Sequence, residues 1–366
     1  MADETLGDLV ALLPPLLRAL EALGFAARHL DPSDVRPVLE ALGAPDEAVL
    51  AELPRLEAWP ENLGAVRTAL TEAAEAVIAG FTSLRAAAEH AGDMRAVFRA
   101  LGRAPRAQEA LYPLADALPP VSRFFLDPPM RGDAALAAKL ASETRHEAVG
   151  LLHGGGELGA RGAWSAYAPE YYAADEAWPL VVALHGGAGN GRNFLWSWLR
   201  EARTYGAILI APTAVGDTWS LSGPDIDTPD LRRILDAAQE RWNIDPDRLL
   251  LTGMSDGGTF CYVSGLEPSS PFTHLAPASA ALHTFLAEMA DEERMAGLPI
   301  HIAHGVRDWM FPVQMAREAQ AALAVHGANV TYREIPDLGH TYPRELNPSI
   351  LEWLRATPPG RVSSGP

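Results

Sequence analysis

A serine between two glycines is the residue of this chain whose surroundings best suit covalent chemistry. Ser255 has Gly253 two positions before it and Gly257 two positions after it. Before this triplet lies an apolar segment, residues 248–252, and after it lies a segment with the composition of a helix, residues 259–264. A hydroxyl exposed on a sharp turn from strand to helix needs a strained backbone and neighbours without bulk. The pattern therefore predicts that Ser255 is a nucleophile at the edge of a sheet.

A nucleophilic serine needs a base, because its hydroxyl reacts poorly near neutral pH, and the base needs a carboxylate that orients it. The candidate base is His340, in a loop after the last strand-like segment. The candidate carboxylate is Asp308, which follows the apolar segment 300–303. Asp337 is a weaker candidate, because it lies only three residues before His340 and a loop rarely folds back that tightly.

Patterns typical of metal, disulfide and phosphate chemistry are absent from the sequence. His301 and His304 are three residues apart on a predicted strand, so their side chains point to opposite faces and cannot bind one ion. Cys261 is the only cysteine, which excludes an intrachain disulfide and a cysteine-based metal site. The chain has no Gly-x-x-x-x-Gly-Lys phosphate loop. We therefore expect a reaction that uses no metal and no cofactor.

The charge of the chain limits its partners. The 366 residues carry a formal net charge of −18, from 29 basic and 47 acidic residues, which disfavours nucleic acid and anionic membrane surfaces. The N-terminus is acidic where a secretory signal would be basic, and Pro14 and Pro15 interrupt the apolar segment 6–23. We expect a cytoplasmic protein without stable membrane insertion.

Composition predicts two domains. Residues 1–130 are rich in Ala, Leu, Glu and Arg, which predicts an α-helical domain, and residues 131–145 are expected to be a linker with a short helix. The proline-rich stretch 118–129 is expected to stiffen the connection, to end helices and to dock on one domain through its paired phenylalanines. Helices are expected at residues 6–23, 32–42, 45–53, 63–89 and 94–101.

From residue 146 to residue 358, segments of strand length alternate with segments of helix length. This alternation predicts a catalytic domain with a mostly parallel, doubly wound sheet covered by helices on both faces, followed by a flexible tail at 359–366. Ligands bind at the carboxyl ends of such strands, so the candidate serine, aspartate and histidine are expected to meet at one edge. Strands are expected at residues 148–152, 163–169, 179–184, 207–212, 248–252, 274–280, 299–304 and 330–335.

Four segments of the second domain resemble the α/β-hydrolase superfamily. Within it they are similar to small carboxylesterases of the phospholipase/carboxylesterase and the polyhydroxybutyrate-depolymerase or feruloyl-esterase type. The matching segments are 179–187, 253–258, 304–312 and 339–340. The resemblance implies an α/β-hydrolase fold preceded by an all-α domain, and it does not cover residues 1–130. It also implies the roles of nucleophile, orienting acid and base for Ser255, Asp308 and His340, whose order along the chain is that of the superfamily.

The resemblance further implies an oxyanion hole formed by the backbone N–H groups of Gly187 and Asp256, with Ala188 as the alternative to Gly187. A second segment, His153-Gly154-Gly155-Gly156, matches the His-Gly-Gly-Gly pattern of oxyanion loops more closely. That segment follows the first strand of a hairpin at the edge of the sheet, whereas an oxyanion donor must lie beside the nucleophile. We therefore assign the oxyanion hole to Gly187 and interpret 153–156 as a hairpin turn.

Several apolar side chains on the predicted strand-end loops could line an acyl or alcohol site. These candidate pocket residues are Met254, Trp219, Trp309, Met310 and Phe311.

The sequence as a whole predicts a serine carboxylic-ester hydrolase, a carboxylesterase that works through an acyl-enzyme on a small-molecule or polymeric ester. One alternative is a serine peptidase or amidase on the same fold. Another is an interaction protein with a hydrolase fold, which would be expected to lack one member of the triad.

The helical domain has two candidate roles. The segment 281–298 is too short to form a substantial cap over the active site, so residues 1–130 are hypothesised to restrict access to it. The alternative role is stabilisation or homodimer formation. Deleting residues 1–130 would distinguish them, because only the loss of a cap would change the preference for substrate size.

Overall fold

The computed structural model describes residues 2–31, 33–89, 94–142 and 147–360. The chain divides into two compact units, Met1–Gly132 and Asp133–Pro366, and each has its own buried apolar core. Residues 143–145 of the predicted linker, residue 146 of the predicted catalytic domain and residues 361–366 of the predicted tail lie outside the described residues, as does Pro32, the expected start of a helix.

The first unit is helical, as its composition predicts. Its helices are α1 (Ala2–His29), α2 (Arg36–Leu42), α3 (Pro45–Glu52), α4 (Gly64–Glu89), α5 (Met94–Leu101), α6 (Arg103–Leu111) and α7 (Pro119–Phe124). Helix α4 buries Leu70, Ala73, Val77 and Phe81, which recur at helical spacing and therefore lie on one face. This face packs against α1, α3, α5 and α6.

Helix α1 contains the helix predicted at residues 6–23 and runs without a break through Pro14 and Pro15. A proline inside a helix removes a backbone hydrogen bond and crowds the preceding turn. Here Leu12, Leu16 and Ala19 are fully buried in the core of the unit, and this packing stabilises the helix despite the prolines.

Helix α1 is also long and apolar enough over Glu4–His29 to cross a membrane, and no other helix of the described residues meets this criterion. Buried core helices meet the same criterion, and α1 carries Leu12, Leu16, Leu20 and Leu23 into the core of its unit. That α1 does not span a membrane stays a prediction.

The proline-rich stretch 118–129, which was expected to end helices, itself contains helix α7. The two prolines of α7 occupy its first turn, where a missing N–H costs no intrahelical hydrogen bond. Phe124 and Phe125 are both buried, and the ring of Phe125 lies edge-on to Tyr112 with 5.4 Å between centroids. The paired phenylalanines therefore dock this stretch onto the first unit.

The second unit is built on an eight-stranded sheet with the order β1-β2-β4-β3-β5-β6-β7-β8. The strands are β1 (Gly150–Gly154), β2 (Trp164–Ala168), β3 (Trp178–Leu184), β4 (Ile208–Pro212), β5 (Ile244–Met254), β6 (His274–Ala278), β7 (Pro299–Gly305) and β8 (Asn329–Ile335). Strand β2 is antiparallel to both of its neighbours, and strands β3 to β8 are parallel to one another. The predicted mostly parallel α/β fold preceded by an all-α domain is confirmed.

Helices precede, connect and follow the strands of this sheet. They are α8 (Ala134–Ser142), α9 (Gly191–Phe194), α10 (Leu199–Tyr205), α11 (Asp227–Arg241), α12 (Asp256–Gly265), α13 (Thr284–Met289), α14 (Glu292–Met295), α15 (Val313–Val325) and α16 (Asn347–Ala356). Every residue of the central strand β3 is buried, as its continuous apolar sequence predicts. Because β3 pairs with β5, β5 with β6, β6 with β7 and β7 with β8, the loops that follow these strands all leave from one edge of the sheet.

Candidate active site

Ser255 lies on a strained turn between β5 and α12. Its backbone has φ 56° and ψ −121°, and residues other than glycine rarely adopt such a positive φ. Its N–H donates to the carbonyl oxygen of Ala278 at 3.1 Å, which ties the turn to β6. A side chain at Gly253 would lie 2.6 Å from the backbone of Gly257, and one at Gly257 would lie 2.4 Å from the carbonyl oxygen of His185. Both flanking glycines are therefore required by close backbone approach, as the sequence predicts.

Three side chains that are distant in sequence form one hydrogen-bonded chain at this turn. The hydroxyl of Ser255 lies 2.9 Å from Nε2 of His340. Nδ1 of His340 lies 2.9 Å from Oδ2 and 3.0 Å from Oδ1 of Asp308. A carboxylate can only accept, so Nδ1 carries the proton and Nε2 is left to accept the serine proton. The arrangement has the geometry of a nucleophile, a base and an orienting acid.

The carboxylate of Asp308 is kept ionised by its hydrogen bonds. Burial acts to raise the pKa of this carboxyl, but donation from His340 and from the backbone N–H groups of Phe311 and Met310 outweighs burial and lowers the pKa. These two N–H groups lie 2.7 and 2.9 Å from Oδ1. Asp308 therefore carries a negative charge that can stabilise a protonated His340.

Backbone contacts explain why a residue after β7 meets a residue after β8. The N–H of Val306 donates to Ile335 at 2.9 Å, and the N–H of Arg307 donates to Leu338 at 3.0 Å. A side chain at Gly305 would lie 2.2 Å from the carbonyl oxygen of Leu338, so the two loops are in direct backbone contact. The base and its acid are thus carried by two loops that backbone hydrogen bonds join.

The predicted oxyanion loop after β3 is held in place by His185. Nδ1–H of this histidine donates to the carbonyl oxygen of Gly186 at 2.6 Å, and the N–H of Ala214 donates to Nε2 at 3.1 Å. Burial lowers the pKa of His185 to about 4, so the ring is neutral and its two nitrogens keep these separate roles. The N–H of Gly189 closes the turn by donating to Gly186, and Ala188 inside that turn has φ 55°.

The two residues whose N–H groups are the predicted oxyanion donors are in contact. Asp256 begins α12, so its N–H is among the first four of the helix, which no intrahelical carbonyl can accept. A side chain at Gly187 would lie 2.7 Å from Oδ2 of Asp256, and that oxygen accepts from the hydroxyl of Thr218 at 2.6 Å. The loop after β3 and the start of α12 are therefore in contact beside Ser255. That Gly187 and Asp256 bind an oxyanion stays a prediction.

The five candidate pocket residues occupy different positions. Trp219 is only 3% exposed and stacks on Phe260. Its Nε1–H donates to the carbonyl oxygen of His185 at 2.7 Å. Trp219 therefore supports the oxyanion loop instead of lining a pocket. The rings of Trp309 and Phe311 lie edge-on to His340, with centroids 5.5 and 5.1 Å away.

Trp309 and Met310 are 40% and 44% exposed, and Met254 is partly buried beside Ser255. The loop that carries Asp308 therefore places exposed apolar surface next to the base.

The glycine-rich hairpin at 153–156 lies at the edge of the sheet, because β1 is the first strand in the order. The ring of His153 contacts Ser165 of β2, with Nδ1 2.9 Å from its hydroxyl. The far end of the hairpin reaches the oxyanion loop, since Arg161 donates to the carbonyl oxygen of Gly189 at 3.2 Å.

His301 and His304 point to opposite faces of β7, as their spacing predicts. The ring of His301 lies against Trp353, whereas Nε2 of His304 lies 3.4 Å from Asp308. Sequence reasoning gave no role to His185, Thr218 or His304. The signal available for His185 and His304 was their position, each directly before a glycine at the end of a buried strand.

The sequence model of the phospholipase/carboxylesterase family matches residues 225–357. That segment contains Ser255, Asp308 and His340, and the second unit has the α/β-hydrolase fold, so the resemblance inferred from the sequence is confirmed.

A curated relative is the bifunctional acetylxylan esterase/xylanase XynS20E of Neocallimastix patriciarum, 29% identical over 200 residues. The match covers 51% of this chain and 27% of that protein, so this chain spans about a quarter of the relative's length. A solved thermostable esterase is 22% identical, with a TM-score of 0.45 over 54% of this chain and 59% of its own. The acylaminoacyl peptidase of Pyrococcus horikoshii is 13% identical, with a TM-score of 0.44 over 56% and 40%.

Proposed function

Because residues 225–357 match the phospholipase/carboxylesterase family, we propose that this chain is a serine carboxylic-ester hydrolase that works through an acyl-enzyme. The observation that carries the proposal is the hydrogen-bonded chain from Ser255 to His340 to Asp308, with 2.9 Å at each step. This geometry allows the imidazole to accept the hydroxyl proton while the carboxylate stabilises the charge that results.

The proposed reaction has two halves. Oγ of Ser255 attacks the ester carbonyl carbon as its proton moves to Nε2 of His340, and the oxyanion is bound by the N–H groups of Gly187 and Asp256. The carbon–oxygen bond to the alcohol then breaks, and the alcohol leaves with the proton from His340. Water next gives a proton to His340 and attacks the acyl carbon, and the carboxylic acid leaves as the serine regains its proton.

Neutral esters fit this site best. The chain has a formal net charge of −18, and the Asp256 carboxylate lies beside the oxyanion loop, so an anionic substrate would be repelled. The curated relative is named an acetylxylan esterase, which makes acetyl esters of sugars the first natural substrates to test. No observation favours the peptidase alternative over the esterase.

Replacing Ser255 with Ala tests the proposal. We expect hydrolysis of p-nitrophenyl acetate and of an acetylated sugar to fall by about 10⁶-fold in kcat, towards the level left by binding alone. Thermal unfolding should change little, because the substitution removes one hydroxyl from a turn fixed by backbone contacts. A Ser255→Ala variant that retains turnover would contradict the assignment.

A further inference from the structure

We propose that His304 is a positioning residue that holds the Asp308 carboxylate in the orientation His340 needs. The inference rests on the proposed ester hydrolysis and adds a fourth side chain to it. His304 lies on β7, four residues before Asp308, and is fully buried.

The contacts of His304 converge on the turn that carries the carboxylate. Its Nε2 lies 2.8 Å from the carbonyl oxygen of Phe311 and 3.4 Å from Oδ2 of Asp308. The N–H of Phe311 donates to Oδ1 of Asp308 at 2.7 Å. His304 thus binds the carbonyl oxygen of Phe311, and the N–H of Phe311 in turn binds Asp308. His304 also lies next to Asp308 itself.

The Phe311 carbonyl determines which nitrogen of His304 carries the proton. A carbonyl oxygen only accepts, so Nε2 must be the donor and the positive end of its N–H dipole faces the region between Phe311 and Asp308. The distance to Oδ2 is longer than an ordinary hydrogen bond, so this second contact is electrostatic.

The two oxygens of Asp308 are supported unequally without this histidine. Oδ1 accepts from the N–H groups of Met310 and Phe311 and also contacts His340. Oδ2, which lies 2.9 Å from Nδ1 of His340, also lies 3.4 Å from Nε2 of His304. Loss of His304 would remove this contact from Oδ2.

The two nitrogens of His304 differ in their contacts. Nδ1 is buried and has no hydrogen-bond partner among the described residues. Nε2 contacts both the Phe311 carbonyl oxygen and Asp308. Any effect of His304 on the turn that carries Asp308 is therefore exerted through Nε2.

The test compares His304→Leu with His304→Gln, whose side-chain N–H₂ can replace the Nε2 donor. We expect kcat for p-nitrophenyl acetate to fall at least about tenfold in His304→Leu while KM changes less than about twofold, and His304→Gln to stay within about threefold of the parent. His301→Leu is the matched control, since His301 lies on the same strand, is buried and also has an unpartnered Nδ1. It should alter thermal unfolding and leave kcat unchanged.

A measurement independent of turnover separates this inference from the proposed function. The proton between His340 and Asp308 should give a low-field ¹H NMR resonance that is kept in His304→Gln and His301→Leu and is shifted or lost in His304→Leu. A parent protein without esterase activity would refute the proposed function, and the resonance would still test the role of His304. An unchanged resonance in His304→Leu would overturn that role, as would equal losses of kcat in His304→Leu and His304→Gln.

Discussion

At the scale of single residues, the site depends on a permanent negative charge on Asp308 and on a positive charge that His340 carries only during the reaction. Asp308 is buried, yet its hydrogen bonds lower its pKa, so it remains ionised while His340 gains and loses a proton. The stability that these bonds contribute is present above the pKa of an unfolded aspartate, about 3.9, and is lost as pH falls through the lower folded pKa. Asp308 should therefore remain ionised at pH values at which an unfolded aspartate already binds a proton.

Replacing Asp308 with Asn should lower kcat by roughly 10³- to 10⁴-fold, because an amide can donate to Nδ1 and favour the wrong imidazole tautomer. Steady-state kinetics on p-nitrophenyl acetate measures this loss. Asp337→Asn is the control, since Asp337 is the other carboxylate near the base in sequence. If Asp337→Asn were the inactive variant, the assignment of Asp308 would have to be abandoned.

At the scale of elements, the turn at Ser255 brings the start of α12 so close to the end of β3 that a side chain at Gly257 would not fit. A Cβ at Gly257 would lie 2.4 Å from the carbonyl oxygen of His185 and 2.5 Å from that of Leu184. The same carbonyl of His185 accepts from Trp219. The helix that begins beside the nucleophile and the Trp219 side chain therefore both lie against the carbonyl oxygen of His185, at the start of the loop that carries Gly187.

Replacing Gly257 with Ala should push α12 away from this loop and destabilise the second unit by about 1–3 kcal/mol, as overpacking of a close contact does. Activity should fall further than the loss of stability explains, because Asp256 moves with the helix. Urea unfolding and kcat/KM measure the two effects. Gly64→Ala is the control, since nothing lies within 4 Å of its added Cβ, and it should leave both quantities nearly unchanged.

At the scale of the whole molecule, burial changes the protonation of three histidines of the second unit. Burial lowers the pKa of His185, His274 and His301 from 6.5 to about 4. Between these values the unfolded chain binds protons that the folded chain does not. The stability of the folded state should therefore fall as pH decreases from about 6.5 and stop responding to these residues below about 4.

Each such histidine contributes a slope of up to about 1.4 kcal/mol per pH unit within this window. Urea unfolding followed from pH 7 to pH 4 measures the combined slope. His301→Leu should reduce the slope of the free energy of unfolding against pH by the contribution of one histidine, because leucine binds no proton in either state. An unchanged slope in that variant would show that His301 is already protonated in the folded protein.

The sequence predicted the parts of this protein whose signal is local. The glycines around Ser255 and the positions of Asp308 and His340 after buried strands were enough to predict the residues of the hydrogen-bonded chain, and continuous apolar segments such as β3 predicted a parallel sheet. These predictions succeed because a sharp turn and a doubly buried strand each restrict residue type at nearby positions.

Only the tertiary structure decided the contacts that support those residues. Trp219 lies behind the oxyanion loop, and His304 holds the turn of Asp308, through partners that no periodicity in the sequence identifies. Helix α1 was predicted at residues 6–23, but the packing against α3 and α4 that stabilises it despite Pro14 and Pro15 is likewise tertiary. In each case the determining energy comes from atoms that are brought together only when distant segments pack, so it is not contained in any short stretch of sequence.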